Sequence, residues 1–127
     1  MLAGTMDREK FAGMVAAALD EIPEEFQAYL ANLEVVVEDE PDAALLRDLQ
    51  LDPRHDTLFG LYDGTPVPLR GDHDGGVLPD RIVLFYRPLV RACRTPRALR
   101  REIRDTVIHE IAHHFGFDDD ALEDEGY

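Results

Sequence analysis

Hydrophobic residues recur every three or four positions between residues 11 and 30, which is the period of amphipathic helices. The first stripe predicts a helix with Thr5 or Asp7 as its N-cap, and its members are Phe11, Met14, Val15, Ala18, Leu19 and Ile22. Pro23 ends that helix and suits the first position of a second one, Glu24 to Leu30, because the first helical residue needs no N–H. Two successive helices are therefore predicted.

Two runs of β-prone residues predict strands. Glu34 to Glu38 is rich in valine and bounded by polar residues. Arg81 to Tyr86 is an apolar run that we expect to be a well-buried strand, ended by Pro88. Between them, Ala43 to Leu49 is compatible with a short helix or with a loop.

A hairpin is predicted ahead of the second strand. Thr57 to Tyr62 and Thr65 to Leu69 flank the pair Asp63-Gly64, which tolerates the positive φ of a two-residue turn. Two prolines in the second arm place that arm at an edge of the sheet.

The longest stripe predicts a helix that starts at Thr95-Pro96 and ends at Gly116. Its apolar residues follow one another at four-residue steps, namely Leu99, Ile103, Val107, Ile111 and Phe115. The order helix, helix, strand, hairpin, strand, helix indicates an α+β fold. A chain of 127 residues has the size of one domain, so we expect a single domain over residues 1–127.

Composition narrows the classes of function. The chain has 13 basic and 27 acidic residues and a net charge of −14, which repels phosphate backbones and anionic lipid, so neither nucleic acid nor a membrane is expected as a partner. No apolar run approaches the ~18 residues of a membrane-spanning helix, and the N-terminal residues lack the pattern of a signal peptide. The single cysteine, Cys93, suits a reducing compartment, so we expect a cytoplasmic protein.

The charges are unevenly distributed. Eight of the 13 basic residues lie between Arg81 and Arg104, where Glu102 is the one acid, whereas residues 20 to 42 contain nine acids and no base. The basic stretch is either a local anion-binding patch or a set of partners for the acidic segments, and we expect the pairing.

Candidate chemistry lies on the predicted last helix, in the sequence His109-Glu110-Ile111-Ala112-His113. Residues four apart lie on one helix face, about 40° apart around the axis, so the two imidazoles can bind one metal ion. Glu110 follows the first histidine and can take a proton from a metal-bound water. Two histidines and a glutamate can also be solvated surface residues, but the helical context and the apolar neighbours favour a metal site.

A catalytic zinc site needs a third protein ligand. Gly116 allows the chain to turn after the helix, and the spacing His113-x-x-Gly116-x-x-Asp119 matches the extended zincin pattern except that aspartate replaces the final histidine. We therefore predict Asp119 as the third ligand, and its alternatives are Asp118, Asp120, Glu123 or a water. His114 faces away from the other two histidines, so we expect it to be a packed or surface residue.

On these residues the chain resembles the minimal metalloprotease-like group of bacterial zincin-like metallopeptidases. The resemblance rests on His109 to Asp119 and on two upstream segments, Gly60 to Pro68 and Leu78 to Ile82. It implies a compact zincin core with a small sheet beside the motif helix. It also implies the site residues, which are the metal ligands His109, His113 and Asp119 and the base Glu110.

Two features depart from better-known zincins. Aspartate occupies the third ligand position, and no methionine follows Met14, so a Met-turn cannot lie beneath the metal. Membership of the metzincins is thereby excluded.

The function implied is a zinc-dependent metallopeptidase that hydrolyses a peptide or protein substrate with metal-activated water and a glutamate general base. One zinc ion is the expected cofactor, and the same ligands also suit manganese, iron or cobalt. If Ile82 to Tyr86 is an edge strand, an extended peptide could pair with it. Spacing does not choose among the candidate donors to the oxyanion, which are Tyr62, Arg70, His73 and Tyr86.

Two other functions remain open from the sequence. In a non-catalytic metal-binding or interaction module, the ion would simply pin the acidic tail to the helix. A metal-dependent ribonuclease is the weaker alternative, because Glu110 and Asp119 differ from the related motif of ribosomal-RNA maturation nucleases and the negative charge opposes RNA binding.

Overall fold

The computed structural model describes residues 6–64 and 80–116, which form helices and a three-stranded sheet around one hydrophobic core. The helices are α1 (Arg8–Asp20), α2 (Glu24–Leu30), α3 (Ala43–Asp48), α4 (Tyr86–Ala92) and α5 (Pro96–Phe115). The strands are β1 (Leu33–Glu38), β2 (Gly60–Asp63) and β3 (Asp80–Phe85). The predicted α+β fold is confirmed, and the segment left open at Ala43 is a helix.

The sheet has the order β1-β3-β2, with β1 parallel and β2 antiparallel to the central strand β3. The expectation that Ile82 to Tyr86 could be an edge strand is therefore wrong. The prediction of a well-buried strand is confirmed, because Ile82 to Phe85 are buried in the central strand of the sheet. In the described part of the sheet the edge strands are β1 and β2, and the second hairpin arm, Thr65 to Leu69, lies outside the described residues.

The helix boundaries follow from local hydrogen bonds. Asp7, not Thr5, caps α1, since its carboxylate accepts from the Lys10 N–H at 2.7 Å. Thr95 caps α5 by accepting from the Ala98 N–H at 3.0 Å. Gly116 ends α5 in the left-handed region with φ of 80°, and its N–H donates to the Ala112 carbonyl.

Pro88 does not end a strand as predicted but lies in the first turn of α4. The first N–H groups of a helix have no acceptor within it, so proline fits there without losing a hydrogen bond. Pro23 also lies at the start of a helix, but it is the N-cap residue of α2 and not the first helical residue, which is the position that the sequence predicted.

The apolar stripe of α5 forms the centre of the core. Leu99, Ile103, Val107 and Ile111 are fully buried, and α5 packs against α1. The predicted stripe is one residue too long, because Phe115 is 46% exposed, although its ring centroid lies 4.6 Å from that of Tyr29.

Charged residues pair as expected across the acidic and basic segments. Arg91 donates to Glu40 at 2.8 Å, and Arg100 lies 3.0 Å from Glu21. These pairs are exposed and each contributes little to stability. Cys93 is buried in the core, and burial raises the pKa of its thiol. No helix within residues 6–64 and 80–116 has the length and apolar character needed to cross a membrane.

Close contact between β2 and α5 depends on Gly60. A Cβ atom at this position would lie 2.7 Å from the Thr106 methyl carbon on α5 and 3.2 Å from the Val83 carbonyl oxygen on β3. The absence of a side chain therefore lets the edge strand approach the helix that carries the candidate metal ligands.

We expect Gly60→Ala to lower the free energy of unfolding by about 1–3 kcal/mol, because the added methyl group overpacks this contact. Gly13→Ala is the matched control, since nothing lies within 4 Å of a Cβ there and Gly13 is in the middle of α1. The control should gain up to about 1 kcal/mol. Urea denaturation of both variants measures the difference, and equal stability of the two would contradict the contact.

Candidate metal centre

His109, Glu110 and His113 line a cleft of about 390 Å³ between α5 and the segment that leads into β2. Its remaining described lining consists of Leu58, Phe59, Gly60, Glu102, Asp105 and Thr106. The buried neighbours of the motif fix which face of α5 looks into this cleft, because Ile108, Ile111 and Ala112 point into the core. The predicted helix face therefore holds both histidines and the glutamate.

The Nε2 atom of His109 is fully buried and has no hydrogen-bond partner among residues 6–64 and 80–116. A buried polar atom without a partner costs about 1–3 kcal/mol, and such atoms are rare in folded proteins. A metal ion bound to this nitrogen would remove that cost. The imidazole thus fits the role of a metal ligand predicted for it.

His113 lies one turn later on the same face and is exposed. Its ring centroid is 6.4 Å from that of His109, with 56° between the ring planes. Because a Zn–N bond is about 2.0–2.1 Å, one tetrahedral ion shared by the two rings would bring the centroids to about 5 Å. Binding of one ion by both rings therefore requires a change in the conformation of these side chains.

Glu110 is held by the sheet. Its Oε1 atom accepts a hydrogen bond of 3.0 Å from the backbone N–H of Tyr62 in β2. Burial raises the pKa of the Glu110 carboxyl, and the hydrogen bond from Tyr62 and the nearby His113 and His109 act in the opposite direction. The carboxylate is thus fixed beside both histidines, as a general base requires.

Tyr62 makes two further contacts with neighbouring elements. Its ring stacks on His114 at the end of α5 with 3.7 Å between centroids and 10° between planes, and its hydroxyl donates to Oδ2 of Asp80 in β3 at 2.6 Å. His114 is therefore a packed surface residue, as predicted. The contact of Tyr62 with Glu110 was not predicted, because a backbone N–H leaves no signature in the sequence and the two residues are 48 positions apart.

The candidate oxyanion donors are not brought together. Tyr62 and Tyr86 are absent from the described lining of the cleft, and the Tyr86 hydroxyl donates to the Met6 carbonyl beside α1. Arg70 and His73 lie outside the described residues. Among the described candidates, the structure therefore favours neither Tyr62 nor Tyr86 as a donor.

The predicted third ligand, Asp119, also lies outside the described residues, as do its alternatives Asp118, Asp120 and Glu123. Within 6–64 and 80–116 no three or more His, Cys, Asp or Glu side chains are grouped so that they could hold a metal ion. A complete site built on His109 and His113 therefore needs a ligand from beyond these ranges, or water.

Two acidic residues in the cleft were not predicted from the sequence. Asp105 accepts from the guanidinium of its neighbour Arg104, at 3.0 Å from Nε and 2.9 Å from Nη2. Glu102 is partly buried, and burial raises the pKa of its carboxyl, assisted by the charge of Asp105 and opposed by His109. Helical spacing could have placed both on the same face as His109, since Asp105 precedes it by four residues and Glu102 by seven.

Comparisons with known proteins agree with this architecture. The chain is similar to a solved structure of a conserved hypothetical protein from Thermus thermophilus, with 25% sequence identity over 87% of this chain and 94% of that chain and a TM-score of 0.56. No curated protein matches the chain significantly. A family model described as zincin-like metallopeptidase matches residues 30–127. This match includes β1, the edge strand β2 and the whole of α5, and the chain therefore belongs to the zincin-like metallopeptidase family.

Proposed function

We propose that the protein is a zinc-dependent peptidase that hydrolyses peptide bonds, with His109, His113 and Asp119 as metal ligands and Glu110 as general base. The observation that carries this proposal is the buried Nε2 atom of His109, which has no hydrogen-bond partner among residues 6–64 and 80–116 and belongs to a residue that lines the same cleft as a glutamate fixed by the sheet. A purely structural site has no need for a fixed carboxylate at that position.

The roles of the residues follow from their positions. A zinc ion bound here supplies an activated water and polarises a carbonyl oxygen. The Glu110 carboxylate removes a proton from the attacking water and passes it to the leaving nitrogen. The bond from the Tyr62 N–H keeps one carboxylate oxygen in place during both transfers.

The substrate proposed is a peptide or a protein in an extended conformation. The residues that precede and begin β2, Leu58 to Gly60, line the cleft, and β2 is an edge strand in the described part of the sheet. An extended substrate could therefore pair with β2, where the sequence suggested β3. The charge of −14 opposes nucleic acid as a substrate. The buried single cysteine is compatible with action in the cytoplasm.

Metal content is the first measurement. Native mass spectrometry of the wild type, purified without added metal, should show one tightly held zinc ion. In Asp119→Ala the affinity should fall by more than the roughly 10–100-fold that loss of an outer partner of a ligand costs. His114→Ala is the matched control and should retain the metal, because His114 stacks on Tyr62.

A wild type without metal, or an Asp119→Ala variant that binds zinc as tightly as the wild type, would contradict the proposed ligand set. His109→Ala separates these cases, since loss of zinc in this variant alone would place the ion at the helix with a different third ligand.

Glu110→Gln should keep the metal and lose turnover of a peptide library by about 100- to 10,000-fold, because the amide cannot accept the proton. The measurement pairs mass-spectrometric detection of cleaved peptides with metal content of the same sample. Full activity of the variant would exclude Glu110 as the base. If the zinc-loaded wild type cleaves no peptide but loses heat stability on chelation, the protein is a metal-binding module instead.

A further inference from the structure

The cleft continues from the paired histidines along α5 to Glu102, two helical turns before His109. The Glu102 side chain is partly buried, yet within residues 6–64 and 80–116 its carboxylate makes no hydrogen bond or ion pair. Asp105 differs from it, since its carboxylate is bound by Arg104. Glu102 thus places a negative charge on the wall of the cleft, where no described lysine or arginine pairs with it and His109 is the described group that favours its charged form.

This arrangement is costly for the protein alone. Removing a carboxylate from water is unfavourable unless an opposite charge or hydrogen bonds compensate. No lysine or arginine belongs to the described lining of the cleft. A cation that enters the cleft would therefore be stabilised by Glu102, and the negative charge of the whole chain would also attract it.

We propose that Glu102 determines specificity by binding the side chain of a lysine or arginine in the peptide substrate. This inference rests on the proposed peptidase function and adds to it the chemical class of the substrate.

The shape of the cleft suits such a side chain. Leu58 and Phe59 line the same cleft as Glu102, so they can cover the aliphatic stem of lysine or arginine while the charged end meets the carboxylate. His109 follows Glu102 by seven positions on the helix, which corresponds to about 10 Å along the axis. An extended peptide spans this distance in about three residues. The basic residue therefore lies within three residues of the bond that is cleaved.

Cleavage of a peptide library with equal representation of all residues tests the proposal. Zinc-loaded wild type should prefer lysine or arginine at one position within three residues of the cleaved bond. Glu102→Gln should lower kcat/KM for an arginine peptide by about 10- to 100-fold, the range expected for a hydrogen bond to a charged group. For the same peptide with citrulline, which is neutral and of similar shape, Glu102→Gln should change kcat/KM little.

Two further variants sharpen the test. Glu102→Lys should reverse the preference towards aspartate or glutamate at the same position. Glu24→Gln changes the net charge equally at an exposed position on α2 and should leave the preference unchanged. A preference for basic residues that Glu24→Gln reduces as much as Glu102→Gln would overturn the specific role of Glu102.

Binding separates this inference from the proposed function. The Glu110→Gln variant should bind a fluorescent arginine peptide more tightly than its citrulline counterpart, and the additional exchange Glu102→Gln should remove the difference. Equal affinity for the two peptides in fluorescence anisotropy overturns the role of Glu102, whether or not the wild type cleaves either peptide. If neither peptide is cleaved but the difference in affinity remains, the result contradicts the proposed peptidase function and not the role of Glu102.

Discussion

Burial of one face of α5 is the constraint on which the rest of the structure depends. Leu99, Ile103, Val107 and Ile111 are completely removed from solvent, so the rotation of the helix about its axis is fixed by the core. The same rotation places the neighbouring face of α5, with His109 and Glu110, at the cleft. Hydrophobic packing of one face of α5 thus determines where the polar side chains on the other face lie.

The sheet supplies the second half of the site. Because β3 is paired on both sides, β2 is held at the edge beside α5, and Gly60 allows the two elements to come into contact. The result is a cleft with a helical wall that carries charge and a strand-side wall that carries apolar side chains such as Phe59.

The elements with a periodic pattern or a clear cap could be predicted from the sequence. The Thr95 cap and the Gly116 end of α5 depend on residues close in the chain, and both are confirmed; its apolar stripe is confirmed from Leu99 to Ile111. The central position of β3 could not be predicted, because strand order depends on contacts between distant segments. The start of α4 directly after β3 was missed because proline is tolerated in the first turn of a helix. Helical spacing places Glu102 on the same helix as His109, but the wall of the cleft that they share also depends on the segment before β2.

The hydrogen bond between the Tyr62 N–H and Glu110 joins residues that are 48 positions apart, and it belongs to a strand of four residues at the edge of the sheet. Short edge elements open more readily than the helices of the core. Local fraying of β2 would release the Glu110 carboxylate while α5 remains folded. The free energy of local opening of the edge strand therefore sets the fraction of molecules whose carboxylate is aligned with the histidines.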